Sequence, residues 1–201
     1  MLMTVKQVCE IANAERGNAI VVCTMGAMNA FDQLPFNDLN VACVPLMGGA
    51  ASIGLGLALA QPERSVIVFD GDASLLMELG GLVSVGQACP KNFIHVLLNN
   101  GVQFAGLGNL PTPGAAGVDF VGMARSAGYF SAYRCASEER LKHELTAAML
   151  KRGPAFIEVN TSYAPATLGK KIAAVEMTDK RFTRMGDDLR RLRACMTNLT
   201  A

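Results

Sequence analysis

Two polar clusters in the sequence carry the residue types best suited to chemistry, and each follows a short apolar run. The first is Asp70-Gly71-Asp72 and the second is Asn99-Asn100-Gly101. Asp72 offers a carboxylate and Asn100 a side-chain carbonyl, and both groups are hard oxygen ligands. Ligands of this kind, few in number, suit a Mg²⁺ ion whose coordination is completed by the phosphates of a bound ligand.

The segment that joins these clusters has the pattern of one βαβ unit. Val66–Phe69 and Phe93–Leu98 are apolar runs of strand length, and Ser74–Gln87 between them has apolar residues at helical spacing. A crossover of this kind makes the two strands parallel. We therefore expect both polar clusters at the carboxyl edge of the sheet, where open α/β sheets bind their ligands.

The first cluster also has the small residues that a phosphate site requires. If a helix starts here, the backbone N–H groups of Gly71, Ala73 and Ser74 can face a phosphate. The alternative is a Rossmann-like turn in which Asp72 only caps the helix. A dinucleotide-binding domain is disfavoured, because no G-x-G-x-x-G follows the first predicted strand.

The spacing of the two clusters resembles a known cofactor motif. Gly71-Asp72-Ala73, followed after 25 residues by Asn99-Asn100, is similar to the thiamine diphosphate (TPP) motif, in which a GDG triplet precedes an NN pair. The resemblance implies that Asp72, Asn100 and the backbone carbonyl of Val102 are Mg²⁺ ligands. It implies TPP contacts from the residues at the helix start, which are Gly71, Asp72, Ala73 and Ser74. Ala73 replaces the third glycine of the motif, but it is small, and we expect binding to survive.

The likeness extends from about Gly17 to Asn160 and is greatest to the diphosphate-binding half of TPP-dependent 2-oxo acid decarboxylases. Among these, the sequence looks most like phosphonopyruvate decarboxylase and the beta subunit of sulfopyruvate decarboxylase. Such relatives have Gly-Ser-Met-Gly before a helix rich in small residues, where this chain has Pro45-Leu46-Met47-Gly48. The resemblance implies that Met47 is the apolar wedge that keeps TPP bent. Simple packing of Met47 in the core is the alternative.

A second departure from the family pattern follows the predicted metal ligand. Relatives commonly have a histidine at the position of Gln103, and Gln103 can hydrogen-bond a substrate but cannot carry a proton. The segment 101–118 has several glycines and no hydrophobic period, so it is either a lid over the cofactor or an ordinary surface loop. His95 lies in an apolar run and His143 on a predicted helix, and we expect both to be structural.

The resemblance implies a TPP-dependent carboxy-lyase (decarboxylase) subunit that converts a 2-oxo acid, similar to sulfopyruvate or phosphonopyruvate, into an aldehyde and CO₂. The acidic residue that activates TPP lies on a pyrimidine-binding domain in such relatives, and 201 residues leave no room for one. We therefore expect activity only with a pyrimidine-binding subunit, in a dimer or heterotetramer. The alternatives are an acetolactate-synthase-like carboligase subunit and a non-catalytic TPP-binding or regulatory subunit.

The composition bears on binding partners, cellular compartment and membrane insertion. Hydrophobic residues make up 51% of the chain and charged residues 17%, which favours a partner interface, while the net charge of +1 gives no case for nucleic acid. The six cysteines form no Cys-x-x-Cys pair, and we expect buried thiols in the cytoplasm. Val41–Gln61 has no charged residue, but its glycines favour a helix packed on a sheet over a membrane span.

The whole pattern predicts an α/β fold, a parallel sheet sandwiched by helices of the TPP-binding type, with a C-terminal helical extension. We expect a diphosphate-binding domain over residues 1–165 and a tail over 166–201. Within the tail, Val175–Met196 has the spacing of an amphipathic helix. The N-terminal half begins with a predicted helix over Val5–Glu15, and a helix rich in glycine and alanine is predicted over Met47–Ala60.

Overall fold

The computed structural model describes residues 2–44, 46–150, 153–167 and 183–198. The strands are β1 Met3–Thr4, β2 Ile20–Cys23, β3 Asn40–Ala42, β4 Val66–Gly71, β5 Phe93–Asn99, β6 Val102–Gln103, β7 Leu110–Pro111, β8 Ser131–Cys135 and β9 Ala155–Ser162. The helices are α1 Val5–Glu15, α2 Met25–Phe31, α3 Ala50–Ala60, α4 Asp72–Met77, α5 Gly80–Ala88, α6 Phe120–Ser126, α7 Glu138–Leu150 and α8 Met185–Asn198.

The main sheet is parallel throughout the described residues. Its order is β1-β9-β5-β4-β2-β3, and β8 also pairs with β9. In the β4–β5 pair, Gly71 is opposite Leu98, so the residues that follow both strands lie at the same edge. A separate antiparallel hairpin, β6–β7, comes directly after β5.

The sheet is covered on both faces, which is why its central strands β2, β4 and β5 are largely apolar on both sides. Ile67 and Phe69 of β4 belong to a core shared with α1, α2 and α7. Val66 and Val68 of the same strand belong to a second core, shared with α3, α5 and α6. Because neighbouring side chains of a strand point to opposite faces, a strand buried on both faces has no polar alternation. The predicted α/β sandwich is confirmed.

Helix α3 packs closely on the sheet because its residues are small. A side chain at Gly54 would overlap with Val68 of β4, so a larger residue would push the helix away. This close approach agrees with the predicted packing of the glycine-rich segment, although the helix starts at Ala50, three residues later than predicted. Among the described helices, none combines the length and apolarity that a membrane crossing requires.

The C-terminal helix α8 lies along the edge strand β3. The Asp188 carboxylate accepts a hydrogen bond from the backbone N–H of Ala42 at 2.9 Å, and Leu192 is buried in the second core. Arg184 forms an ion pair with Asp32 at 2.8 Å. The predicted amphipathic helix is therefore present from Met185 and packs on its own chain, while residues 175–182 of that prediction lie outside the described residues.

The structure differs from the sequence prediction in two segments, 74–87 and 101–118. The single helix predicted over Ser74–Gln87 is two helices, α4 and α5, because Glu78 adopts a non-helical conformation and two helix-weakening glycines follow at 80 and 81. The predicted loop 101–118 contains the short hairpin β6–β7.

Candidate functional site

Asp72 and Asn100 meet at the carboxyl edge of the sheet. Asp72 opens α4 directly after β4 and is only 2% exposed. Its Oδ1 accepts a hydrogen bond from the backbone N–H of Asn100 at 3.3 Å, and its Oδ2 accepts one from the Thr112 hydroxyl at 3.2 Å. The structure thus brings together the two residues that the sequence predicted as neighbours.

The environment of the Asp72 carboxylate disfavours an uncompensated negative charge. Burial raises the pKa of this carboxyl above its usual value, and the hydrogen bonds from Asn100 and Thr112 offset part of the shift. Both donors are uncharged, so neither supplies a counter-charge. A buried carboxylate is costly unless it is paired with a cation or coordinates a metal, so this position fits a metal ion.

Val102 follows Asn100 by two residues, at the start of the β6–β7 hairpin, and so lies at the same edge. Its own N–H donates to the Asn100 side-chain oxygen at 2.9 Å, which folds the chain tightly after β5. In the hairpin Val102 is opposite Pro111, and proline has no N–H to donate to the Val102 carbonyl. Gly101, between Asn100 and Val102, has a φ of +72°, a conformation that glycine adopts without strain.

These donors match a small hard cation. The three oxygens come from one carboxylate, one amide and one backbone carbonyl, a set that leaves coordination positions for phosphate and water. Among the described residues, no group of three or more His, Cys, Asp or Glu side chains could hold a metal ion. A site rich in thiolate or imidazole, typical of zinc, is therefore not found in this part of the chain.

The loop that carries Met47 is fastened to the start of α4. The backbone N–H of Gly48 donates to the Ser74 hydroxyl at 2.8 Å, and Gly48 has a φ of +86°. Met47 is 48% exposed, so it is not a core residue of this chain, contrary to the packing alternative. Ala73 is buried beside Ser74. Pro45 lies outside the described residues.

The segment after Asn100 is held at two places. At its base Thr112 donates to Asp72, and its backbone N–H donates to Gly101 at 2.9 Å. At its tip the Asn109 amide donates to the carbonyl of Ala164 at 3.0 Å. Gln103 is half-buried in β6 between these attachments. The hairpin is thus docked against the end of β9.

The two histidines lie away from this edge. His95 is fully buried in β5, with Nδ1 3.0 Å from the Tyr129 hydroxyl and Nε2 3.7 Å from Asp70 Oδ2. Burial raises the pKa of the Tyr129 hydroxyl, and the nearby Asp70 carboxylate adds to the shift. His143 is exposed on α7, beside Glu144.

Two supporting residues were not predicted. Glu158 of β9, which is buried, accepts a hydrogen bond from the Asn99 side chain at 2.8 Å and is paired with Arg134 at 2.9 Å. Thr112 reaches Asp72 through the hairpin. Nothing in the local sequence pattern indicates either contact, since each joins segments far apart in the chain.

A parallel sheet with helices on both faces, and with oxygen donors at its carboxyl edge, is typical of α/β domains that bind their ligands at that edge. Residues 20–159 match the family model described as thiamine pyrophosphate enzyme, C-terminal TPP binding domain. This match spans more than half of the chain, and the chain belongs to that family.

Two curated relatives show which decarboxylases of the family are similar to this chain in sequence. The chain is 36% identical over 149 residues to phosphonopyruvate decarboxylase of Streptomyces viridochromogenes, a match that covers 74% of this chain and 37% of the relative. It is 47% identical over 113 residues to sulfopyruvate decarboxylase subunit beta of Methanothermobacter thermautotrophicus, covering 56% of this chain and 57% of the relative. The chain thus matches only part of the length of these relatives.

A solved structure shares the fold. The TPP-dependent 4-hydroxybenzoylformate decarboxylase of Rhodococcus jostii RHA1 aligns with a TM-score of 0.67 at 22% identity. The alignment covers 80% of this chain and 33% of that one.

Proposed function

We propose that this chain supplies the diphosphate-binding half of a TPP-dependent decarboxylase that acts on a 2-oxo acid with a sulfonate or phosphonate tail. The observation that carries the proposal is the meeting of Asp72 and Asn100, with the Asp72 carboxylate 3.3 Å from the Asn100 backbone nitrogen, in a family that binds TPP. The names of the relatives, phosphonopyruvate and sulfopyruvate decarboxylase, support the substrate class.

In this proposal Asp72, Asn100 and the Val102 carbonyl hold a Mg²⁺ ion. The backbone at the start of α4, from Gly71 to Ser74, faces the diphosphate. Bound at these residues, TPP would supply the carbon nucleophile and the electron sink for the loss of CO₂.

Two further side chains have roles in the proposed site. Met47, exposed on a loop that is hydrogen-bonded to Ser74, would contact the cofactor and keep it bent. Gln103, half-buried in the docked hairpin, donates a hydrogen bond to the substrate and helps to exclude water.

We place the diphosphate-binding domain at residues 1–165 and the tail at 166–201. The other half of the TPP site comes from a pyrimidine-binding subunit, in a dimer or heterotetramer. Three relatives carry the name subunit beta, which supports a partner chain.

The cofactor proposal is tested by thermal unfolding of the full chain with TPP and Mg²⁺ together, with each alone, and with NAD. We expect stabilisation only when TPP and Mg²⁺ are both present, and loss of it in Asp72→Ala and Asn100→Ala. A Mg²⁺-dependent TPP shift that survives in either variant would count against the assigned ligands, and stabilisation by NAD would favour a dinucleotide domain.

A further inference from the structure

A cleft of about 440 Å³ opens at the carboxyl edge of the sheet, beside the proposed metal ligands. Its walls come from the first turn of α1, the start of α2, the tip of the β6–β7 hairpin and the residues that follow β9. Asn100 also lines it, so the cleft adjoins the place where Asp72 and Val102 lie. A molecule bound in this cleft is therefore next to the proposed cofactor site.

The side chains that line the cleft carry a net positive charge. Among the described residues that line it, Lys6 is the one charged side chain, and no carboxylate is present. The other polar groups that line it are neutral, and they include Asn29, Ser162 and Tyr163. A cleft with one cation and neutral hydrogen-bonding groups attracts an anion.

The present partner of Lys6 holds it weakly. Its ammonium lies 3.9 Å from Glu10 Oε1, one helical turn further along α1, and the two side chains are 54% and 46% exposed. An exposed i,i+4 pair of this kind is weak, so the ammonium can turn towards a ligand at little cost.

The N-terminus of helix α1 adds to the positive electrostatic potential of the cleft. The first turn of α1 lines the cleft and contains no acidic residue, and its start is fixed by a capping box in which Thr4 and Gln7 bond reciprocally. The positive end of the helix dipole therefore acts beside Lys6, without a carboxylate of the first turn to offset it.

We infer that this cleft receives the tetrahedral anionic tail of the substrate, a sulfonate or a phosphonate, and that Lys6 determines specificity for it. The inference rests on the proposed function and deepens it. A 2-oxo acid of this class has two anionic ends, and its carboxylate leaves as CO₂. The tail is the end that stays charged through the reaction. A site that binds it selectively needs a cation, which Lys6 provides.

The test uses the full chain with TPP and Mg²⁺ and two unreactive probes, 3-sulfopropanoate and 3-phosphonopropanoate, with butanoate as the probe that lacks an anionic tail. Binding is measured by calorimetry for the wild type, Lys6→Met, Lys6→Arg and Lys91→Met. Lys91 is the matched control, because it is exposed and precedes β5, at the opposite edge of the sheet.

We expect at least tenfold weaker binding of a tailed probe in Lys6→Met, near-normal binding in Lys6→Arg and Lys91→Met, and little binding of butanoate. The tighter of the two tailed probes identifies the tail. Equal binding by the wild type and Lys6→Met would overturn the inference, as would butanoate binding as tightly as the tailed probes, or no binding of either tailed probe by the wild type.

The same samples separate this inference from the proposed function. The thermal shift produced by TPP and Mg²⁺ must be equal in the wild type and Lys6→Met. If that shift is absent from the wild type, the cofactor proposal fails. If the shift is present and probe binding does not depend on Lys6, the cleft inference alone fails.

Discussion

At the scale of single residues, the Asp72 carboxylate links the stability of the chain to its proposed cofactor. It is buried, and the hydrogen bonds described for it come from a backbone N–H and a hydroxyl. Burying a charge without a counter-charge costs stability, and a bound cation removes that cost. The same carboxylate is therefore expected to lower the free energy of unfolding of the metal-free chain and to raise it once Mg²⁺ and TPP are bound.

Asp72→Asn separates these two effects, because the amide keeps the shape and loses the charge. We expect the unfolding temperature of the metal-free chain to be unchanged or higher, and the stabilisation by TPP and Mg²⁺ to disappear. For the wild type that stabilisation is about 2.7 kcal/mol at a ligand concentration one hundred times Kd. Thermal unfolding measures both, with Glu63→Gln on an exposed loop as control. Strong destabilisation of metal-free Asp72→Asn would contradict this account.

Gly48 shapes the loop that presents Met47. It has a φ of +86°, and a Cβ there would lie 2.7 Å from Cγ of Glu78. We expect Gly48→Ala to lower the free energy of unfolding by more than about 1 kcal/mol, since alanine is strained where φ is positive. Gly56→Ala is the matched control, because a Cβ at this exposed position of α3 meets nothing within 4 Å.

Urea unfolding of the two glycine variants shows whether the loss of stability in Gly48→Ala comes from the positive φ or from replacing a glycine as such. Gly56→Ala is expected to stabilise the chain by about 0.5–1 kcal/mol, because alanine replaces glycine inside a helix. If Gly48→Ala were as stable as the wild type, the positive φ would not be a requirement of this loop.

At the scale of secondary structure, helix α8 closes one edge of the sheet. Asp188 is 1% exposed, accepts from Ala42 of β3, and is paired with Arg184 and Arg191. An edge strand presents unpaired backbone groups, and natural proteins often cover such edges with a helix. The family match ends at residue 159, so α8 is an addition to the part that the family model describes.

Asp188→Ala tests the attachment of this helix. It removes the acceptor for the Ala42 N–H and one of the carboxylate partners of Arg184 and of Arg191, which keep their pairs with Asp32 and Asp38, and we expect a loss of about 1.5–3 kcal/mol in the free energy of unfolding. Asp187→Ala is the control, since that neighbouring side chain is 60% exposed and its loss should cost under about 1 kcal/mol. Hydrogen exchange at the Ala42 amide should be faster only in Asp188→Ala, and equal rates in both variants would refute the attachment.

The elements themselves differ in how well the sequence predicts them. Helix α1 has the predicted bounds, because a regular apolar face and a local capping box define it. The strands around the two polar clusters were predicted because they are apolar and short. The interruption at Glu78 was not predicted, since the apolar residues of 74–87 keep a helical spacing across it and outweigh the signal of Gly80 and Gly81.

The same distinction applies to the candidate site. Asp72 and Asn100 were predicted as neighbours from spacing and parallel topology alone. The cleft and Lys6 could not be found in this way, because the cleft is formed where α1, the hairpin and the end of β9 come together. Strand-end residues follow from local pattern, whereas contacts between distant loops depend on the packed fold.

At the scale of the whole molecule, large apolar side chains are exposed at the edge that carries the proposed site. Met25 follows β2, Leu46 and Met47 follow β3, and Phe104 lies in the hairpin after β5. Exposed apolar groups gathered at one edge are typical of an interaction surface. Their position supports the proposal that a pyrimidine-binding subunit covers this edge.

The two cores also determine which cysteines can react. Cys9, Cys23, Cys43 and Cys135 are buried, whereas Cys89 is exposed. Burial raises the pKa of the Cys9 and Cys43 thiols to about 12 and that of Cys135 to about 11. The thiolate is the reactive form, and at pH 8 these buried thiols are almost entirely protonated.

Alkylation of the native chain at pH 8 should therefore label Cys89 first and Cys195, which is half-buried, more slowly. The four buried thiols should react only as the chain unfolds, so their labelling rate in urea should follow the unfolding transition. Mass spectrometry of the labelled peptides measures each site, and Cys89→Ser is expected to remove the fast phase without changing the others. Rapid labelling of Cys9 or Cys135 in the native chain would mean that the core formed by α1, α7 and the sheet opens far more readily than its packing implies.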